Sequence, residues 1–124
     1  MDRLFLLFGS GLALLGVGLG AFGAHALRSR VSADLLAVWR TAVEYQFYHA
    51  FALLALGMLL RQLGSSALMH AAGWCFFAGT LLFSGSLYTL VLSGVRGFGA
   101  VTPIGGVLFL VGWALLIVAL LRRA

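Results

Sequence analysis

One short stretch of this sequence concentrates side chains that can exchange protons or bind ions. The polar members are spaced at i, i+3, i+4, i+7 and i+8 and are Thr41, Glu44, Tyr45, Tyr48 and His49. This spacing places all of them on one face of a helix. A carboxylate and an imidazole that share a helix face form a candidate proton or ion site.

Further polar residues are predicted to lie near this face if the chain crosses a membrane four times. One side of the membrane then carries the end of the first span, the start of the second, the end of the third and the start of the fourth. The resulting candidate polar cluster comprises His25, Thr41, Glu44, Tyr45, Tyr48, His49, Ser84, Ser86, Tyr88 and Thr102. An unpaired polar group facing hydrocarbon costs several kcal/mol, so we expect this face to point into the bundle or a wet cavity.

The candidate polar cluster has two interpretations. In the functional one, Glu44 with His49 or His25 forms a proton or ion site, because ionisable residues inside a membrane are functional candidates. In the structural one, Glu44 pairs with Arg40 four residues earlier, while the histidines hydrogen-bond to backbone carbonyls or to Tyr and Ser side chains. The sequence is compatible with both interpretations.

Cofactor and catalytic patterns find little support in the sequence. His25 and His49 have a similar predicted depth, but two unsupported histidines are more often hydrogen-bonded core groups than haem ligands. No HxxxH or ExxH spacing indicates a metal site. The sequence also has no nucleophile elbow, phosphate loop or pair of acidic residues. We therefore predict no enzymatic activity, no cofactor and no metal.

The composition indicates a protein that folds in lipid. Of its 124 residues, 63% are hydrophobic and only 9% are charged, which is far from the average of soluble domains. A small soluble domain needs polar surface to cover its core, and this chain lacks it. The formal charge of +5 comes from arginines at the ends of apolar runs. Membrane lipids, and not nucleic acid, are therefore the predicted partner.

The apolar runs predict an all-α, polytopic membrane protein: a bundle of four transmembrane helices in a single membrane domain over residues 1–124. The predicted spans are approximately 4–27, 41–60, 67–92 and 104–121. The first run exceeds the roughly 20 residues that cross a bilayer. It begins like a signal peptide, but its length favours a retained helix. Residues 28–40 predict a short amphipathic interfacial helix between spans one and two, with Ser32 as N-cap.

Small residues in span one predict close helix packing. They recur at spacings of four and three along one helical seam, which comprises Gly9, Ala13, Gly16, Gly20 and Gly23. We expect this seam to pack against span three or against span two. The arginines divide equally between the two sides of the membrane, so the charge rule leaves the orientation open.

Several short motifs carry a family resemblance. They are residues 20–25 (GAFGAH), Trp39, Thr41-Ala42, Tyr45, His49-Ala50, residues 83–88 (FSGSLY), residues 102–106 (TPIGG) and Gly112-Trp113. Together they resemble the small membrane family called domain of unknown function 423, to which transmembrane protein 256 looks related. The resemblance implies a four-span protein of bacterial inner membranes, with mitochondrial relatives and no established activity.

Three functions remain as hypotheses. The first is a non-enzymatic integral membrane protein whose polar cluster fixes the fold or binds a small ligand. The second is a small proton- or ion-coupled transporter or channel that uses Glu44 and His49, working as a homo-oligomer. The third is an accessory or assembly subunit of a larger membrane complex, which packs through its small-residue seam.

Overall fold

The computed structural model describes residues 1–123, and in this range it contains helices and no strand. Helix α1 (Asp2–Phe22) continues into one π-helical turn, Gly23–Leu27. It is followed by α2 (Ala33–Leu63), α3 (Ala67–Ser93) and α4 (Thr102–Arg123). Each of the four is long and apolar enough to cross a membrane. The prediction of an all-α protein with four spans is confirmed.

Serine and glycine residues define the connections between the helices. The hydroxyl of Ser32 accepts a hydrogen bond from the Leu35 amide at 3.2 Å, and Ser66 caps α3 in the same way. Helices α2 and α3 end at Gly64 and Gly94, which have φ of 86° and 72°. Glycine adopts positive φ at little cost, so both helices can stop there and turn.

The segment 28–40 differs from its prediction. Ser32 does cap a helix, but that helix runs without a break from Ala33 to Leu63. No glycine or proline occurs between Ser32 and Gly57, so nothing separates an interfacial helix from span two. At about 1.5 Å per residue, the 31 residues of α2 exceed the hydrocarbon thickness of about 30 Å. Its first turns therefore form the amphipathic segment.

Helices α2 and α3 form the centre of the bundle, and α1 and α4 lie on opposite sides of this pair. The close helix pairs are α1 with α2, α2 with α3, and α3 with α4. Helix α1 also reaches α3 through the stacked rings of Phe8 and Phe77. Helix α4 reaches α2 through Phe109, whose ring stacks on His49. Helix α2 therefore contacts all three of the other helices.

The small residues of α1 face α2, the sequence neighbour. A Cβ added at Gly9 would lie 2.7 Å from the Ala50 carbonyl oxygen, and one added at Gly16 would lie 2.9 Å from the Phe47 ring. Ala13 is half-buried beside them. Close van der Waals contact of this kind is a main source of attraction between helices in lipid.

Two arginines join different helices on the membrane side that carries both termini. Arg61 donates to the Asp2 carboxylate, with Nε and Oδ2 2.6 Å apart, and so joins the end of α2 to the start of α1. The Arg123 guanidinium donates to the backbone carbonyls of Leu63, Gly64 and Ser65. We call this the terminal side, and the other membrane side the loop side.

Candidate functional site

Most of the polar face of early α2 points out of the bundle. Glu44 and Tyr45 are exposed, and Tyr48 is 54% exposed. The expectation that this face lines the bundle interior is therefore wrong for Glu44, Tyr45 and Tyr48, whereas His49 is buried as expected. Because α2 is one of the two central helices, its other faces contact α1, α3 and α4, and the stripe with the most polar side chains is the one left outside.

The ionisable groups of the predicted proton site are separated from one another. Glu44 and Arg40 both border a shallow groove of about 160 Å³ between α1 and α2. They form no ion pair, since Asp2 accepts both of the salt bridges within residues 1–123. His25 is exposed on the π-helical turn of α1. In the same range, no three His, Cys, Asp or Glu side chains are placed to hold a metal ion.

His49 is buried and both of its ring nitrogens are occupied. The Trp113 indole N–H donates to Nε2 at 3.1 Å, and Nδ1 lies 2.8 Å from the Tyr45 carbonyl oxygen. An indole nitrogen can only donate, so Nε2 is the acceptor and Nδ1 carries the proton. This fixes a neutral imidazole, stacked on Phe109 at 3.6 Å between ring centres. His49 therefore joins α2 to α4.

Gln46 is the centre of the buried hydrogen bonds, and the sequence analysis missed it. Its side chain is 3% exposed. The amide nitrogen donates to the Leu12 carbonyl at 2.8 Å, and the amide oxygen accepts from the Tyr88 hydroxyl at 2.6 Å. One side chain thus joins α1, α2 and α3. The available signal was a polar residue next to Phe47 on the apolar face of α2, because buried polar groups in that position need partners.

The remaining members of the candidate polar cluster bond to neighbouring backbone or to each other. The Thr41 hydroxyl donates to the Ala37 carbonyl of its own helix. The Ser84 hydroxyl donates to the Ala42 carbonyl at 2.7 Å and so joins α3 to α2. The hydroxyls of Ser86 and Thr102 lie 2.6 Å apart and join α3 to α4.

Trp39 fastens α1 to α2 near the loop side. Its indole N–H donates to the Leu19 carbonyl at 2.9 Å. The indole lies so close to Gly23 that a Cβ there would be 2.6 Å from the ring. Gly23 begins the π-helical turn, and its amide donates to the same Leu19 carbonyl that accepts from Trp39. The glycine motif and Trp39 therefore form one structural unit.

Every buried side-chain nitrogen and oxygen in the described part of the chain has a hydrogen-bond partner. Each close helix pair is joined by at least one side-chain hydrogen bond, centred on Gln46, Ser84 or the Ser86–Thr102 pair. We call the set formed by Trp39, Gln46, His49, Ser84, Ser86, Tyr88, Thr102 and Trp113 the interhelical network.

Comparison with known proteins places the chain among uncharacterised membrane proteins. A family model described as a protein of unknown function, DUF423, matches residues 19–106. A UPF0382 membrane protein of Staphylococcus aureus is 46% identical over 98% of both chains. The UPF0382 membrane protein YwdK of Bacillus subtilis is 43% identical over 97% of this chain and 98% of its own. No solved structure matches the chain.

Replacing Gln46 tests the interhelical network. Gln46→Leu should lower the free energy of unfolding by about 1–2 kcal/mol, since it removes two interhelical hydrogen bonds and leaves the Tyr88 hydroxyl unpaired. Gln62→Leu, the same change at an exposed position near the end of α2, is the control and should have little effect. Unfolding in mixed micelles with increasing SDS measures both. Equal stability of the two variants would contradict the network.

Proposed function

This chain belongs to the DUF423 family of membrane proteins of unknown function, and from that premise we propose that it is a non-enzymatic protein of the bacterial plasma (inner) membrane. Relatives with membrane-protein names in Staphylococcus and Bacillus support the location. The four apolar helices agree with it. In this proposal the protein acts by binding within the bilayer and not by transforming or conducting a substrate.

The observation that carries the proposal is the satisfied state of the interhelical network. Gln46 and His49 are each held by partners on two sides, and Ser84 donates to a backbone carbonyl. Groups that relay protons or ions must exchange partners, and they usually face a wet cavity. The polar groups inside this bundle instead join helices to one another, which favours the structural interpretation of the candidate polar cluster.

The transporter hypothesis requires a different arrangement of Glu44 and His49. It requires Glu44 and His49 to act on one path, yet Glu44 lies outside the bundle and His49 inside it, bonded to Trp113. A path through a single chain would have to break the α2–α4 contact. A homo-oligomer that encloses Glu44 between subunits would avoid this difficulty, so flux must be measured directly.

Flux through reconstituted protein distinguishes these hypotheses. We expect liposomes containing the protein to dissipate an imposed proton or potassium gradient no faster than empty liposomes, with Glu44→Gln behaving identically. A pH-sensitive dye inside the liposomes measures the rate, and an added ionophore shows that the gradient was present. Flux that the folded Glu44→Gln variant loses would overturn the non-conducting proposal.

An accessory or self-assembling role is the second candidate, and the outward stripe of α2 favours it. Glu44 offers a hydrogen-bond acceptor and Tyr48 a donor one turn away, both on the bundle surface. Polar side chains near hydrocarbon are stabilised when another helix supplies their partners. A second copy of the chain, or a subunit of a larger membrane complex, would cover this stripe.

Cysteine crosslinking in native membranes tests whether another protein chain covers the outward stripe of α2. In a Cys75→Ala background, Tyr48→Cys should crosslink efficiently, whereas Leu110→Cys on the outer face of α4, 72% exposed, should not. The mass of the product separates two copies of this chain from a larger complex. Equal crosslinking at the two positions, or none at either, would contradict a specific contact through α2.

A further inference from the structure

A lateral groove runs between α1 and α3 along the surface of the bundle. It has an inner pocket of about 190 Å³, lined among others by Gln46, Thr80, Ser84, Gly85 and Tyr88. An apolar trough of about 230 Å³ continues it toward the terminal side, along Phe8, Gly11 and Phe77. The two parts share Leu12, Leu15 and Leu81. They therefore form one continuous groove.

The groove opens to the hydrocarbon at the middle of the membrane. Gln46 bonds to Leu12, near the midpoint of the first span, Asp2–Leu27. Leu15 and Leu81 at its edges are 58% and 54% exposed. Any occupant must therefore be dissolved in the bilayer core. Charged lipid headgroups stay at the interface, because bringing a charge to this depth is costly.

Four polar side chains are among the lining residues of the inner pocket, although its surface is mostly apolar: Gln46, Thr80, Ser84 and Tyr88. The hydroxyls of Thr80, Ser84 and Tyr88 all donate to partners within the bundle. The Gln46 amide nitrogen carries two N–H groups, and the Leu12 carbonyl is its one acceptor in the described part of the chain. Gln46 lines the pocket and one of its two N–H groups has no acceptor in this range, so an occupant with a carbonyl oxygen would supply the missing acceptor. A plain hydrocarbon chain would leave it unpaired.

The dimensions of the groove fit a ring followed by a chain. An apolar cavity of about 150 Å³ is large enough to bind benzene, so the inner pocket of about 190 Å³ has room for a six-membered ring. The apolar trough of about 230 Å³ has room for a hydrocarbon tail. Gly85 beside the pocket and Gly11 beside the trough keep this space open, since a Cβ added at either would meet no atom within 4 Å.

We propose that this groove binds a quinone with a long hydrocarbon tail. The ring lies in the inner pocket, one ring carbonyl accepts a hydrogen bond from the Gln46 amide, and the tail follows the trough between α1 and α3. The proposal concerns reversible binding and includes no electron transfer. It goes beyond the proposed non-enzymatic role by naming the class of ligand.

Two glycine substitutions form a matched test. Gly85 lines the inner pocket and has open space beside it, so the side chain of Gly85→Leu should fill the pocket. Gly106→Leu adds the same side chain at an equally open position on α4, outside the groove. Both replace glycine in a helix by a good helix former, so both variants should fold. The probe is 2-decyl-1,4-benzoquinone, and its control is decylbenzene, which also has a six-membered carbon ring and a decyl tail but no carbonyl oxygen.

Binding is measured by the rise in melting temperature of the protein in lipid nanodiscs as the probe fraction increases. We expect the parent and Gly106→Leu to be stabilised by the quinone, Gly85→Leu to bind it at least tenfold more weakly, and decylbenzene to have a much smaller effect. Equal quinone binding by the two leucine variants would overturn the site. Equal stabilisation by decylbenzene would overturn the quinone and indicate an ordinary lipid chain, and no stabilisation at all would overturn both. All of these outcomes are read from melting temperatures, so they are independent of the liposome flux assay that tests the proposed non-conducting role.

Discussion

Inside hydrocarbon, a buried polar group must find its hydrogen-bond partner within the protein, because no water can supply one. The bundle meets this constraint largely through Gln46, which bonds simultaneously to the Leu12 backbone and the Tyr88 hydroxyl. The glycine seam makes this possible. Close approach at Gly9 and Gly16 brings the α1 backbone near enough to α2 for a side chain of α2 to reach it.

The same constraint explains how polar side chains divide between the inside and the outside of the bundle. Gln46 and His49 lie inside, where fixed partners hold them, whereas Glu44 and Tyr48 remain on the surface of α2. Glu44 lies one turn deeper than Arg40 along α2. A surface stripe at this depth is suited to contact with another helix, while the groove between α1 and α3 is suited to a smaller molecule from the bilayer.

The four spans followed from the sequence because length and apolarity are local properties. The cap at Ser32 and the small residues of α1 were visible for the same reason, since each depends on neighbours within one or two helical turns. The direction of the polar face was not predictable in this way. A helical period groups Glu44 with Tyr48, but which face is buried depends on how many neighbours α2 has. Gln46 was missed because its partners, Leu12 and Tyr88, are 34 and 42 residues away.

The most direct test of the account is a double-mutant cycle between Gln46 and Tyr88. The free energy of unfolding would be measured for the parent, Gln46→Met, Tyr88→Phe and the double variant in the same micelles. Hydrogen bonds between membrane helices contribute on average about 0.6 kcal/mol and at most about 1.7 kcal/mol. The account predicts a coupling energy toward the upper end of this range, because the bond is short and partly buried. Losses that add to within about 0.3 kcal/mol would show that the two side chains act independently, and would contradict a bundle held together through Gln46.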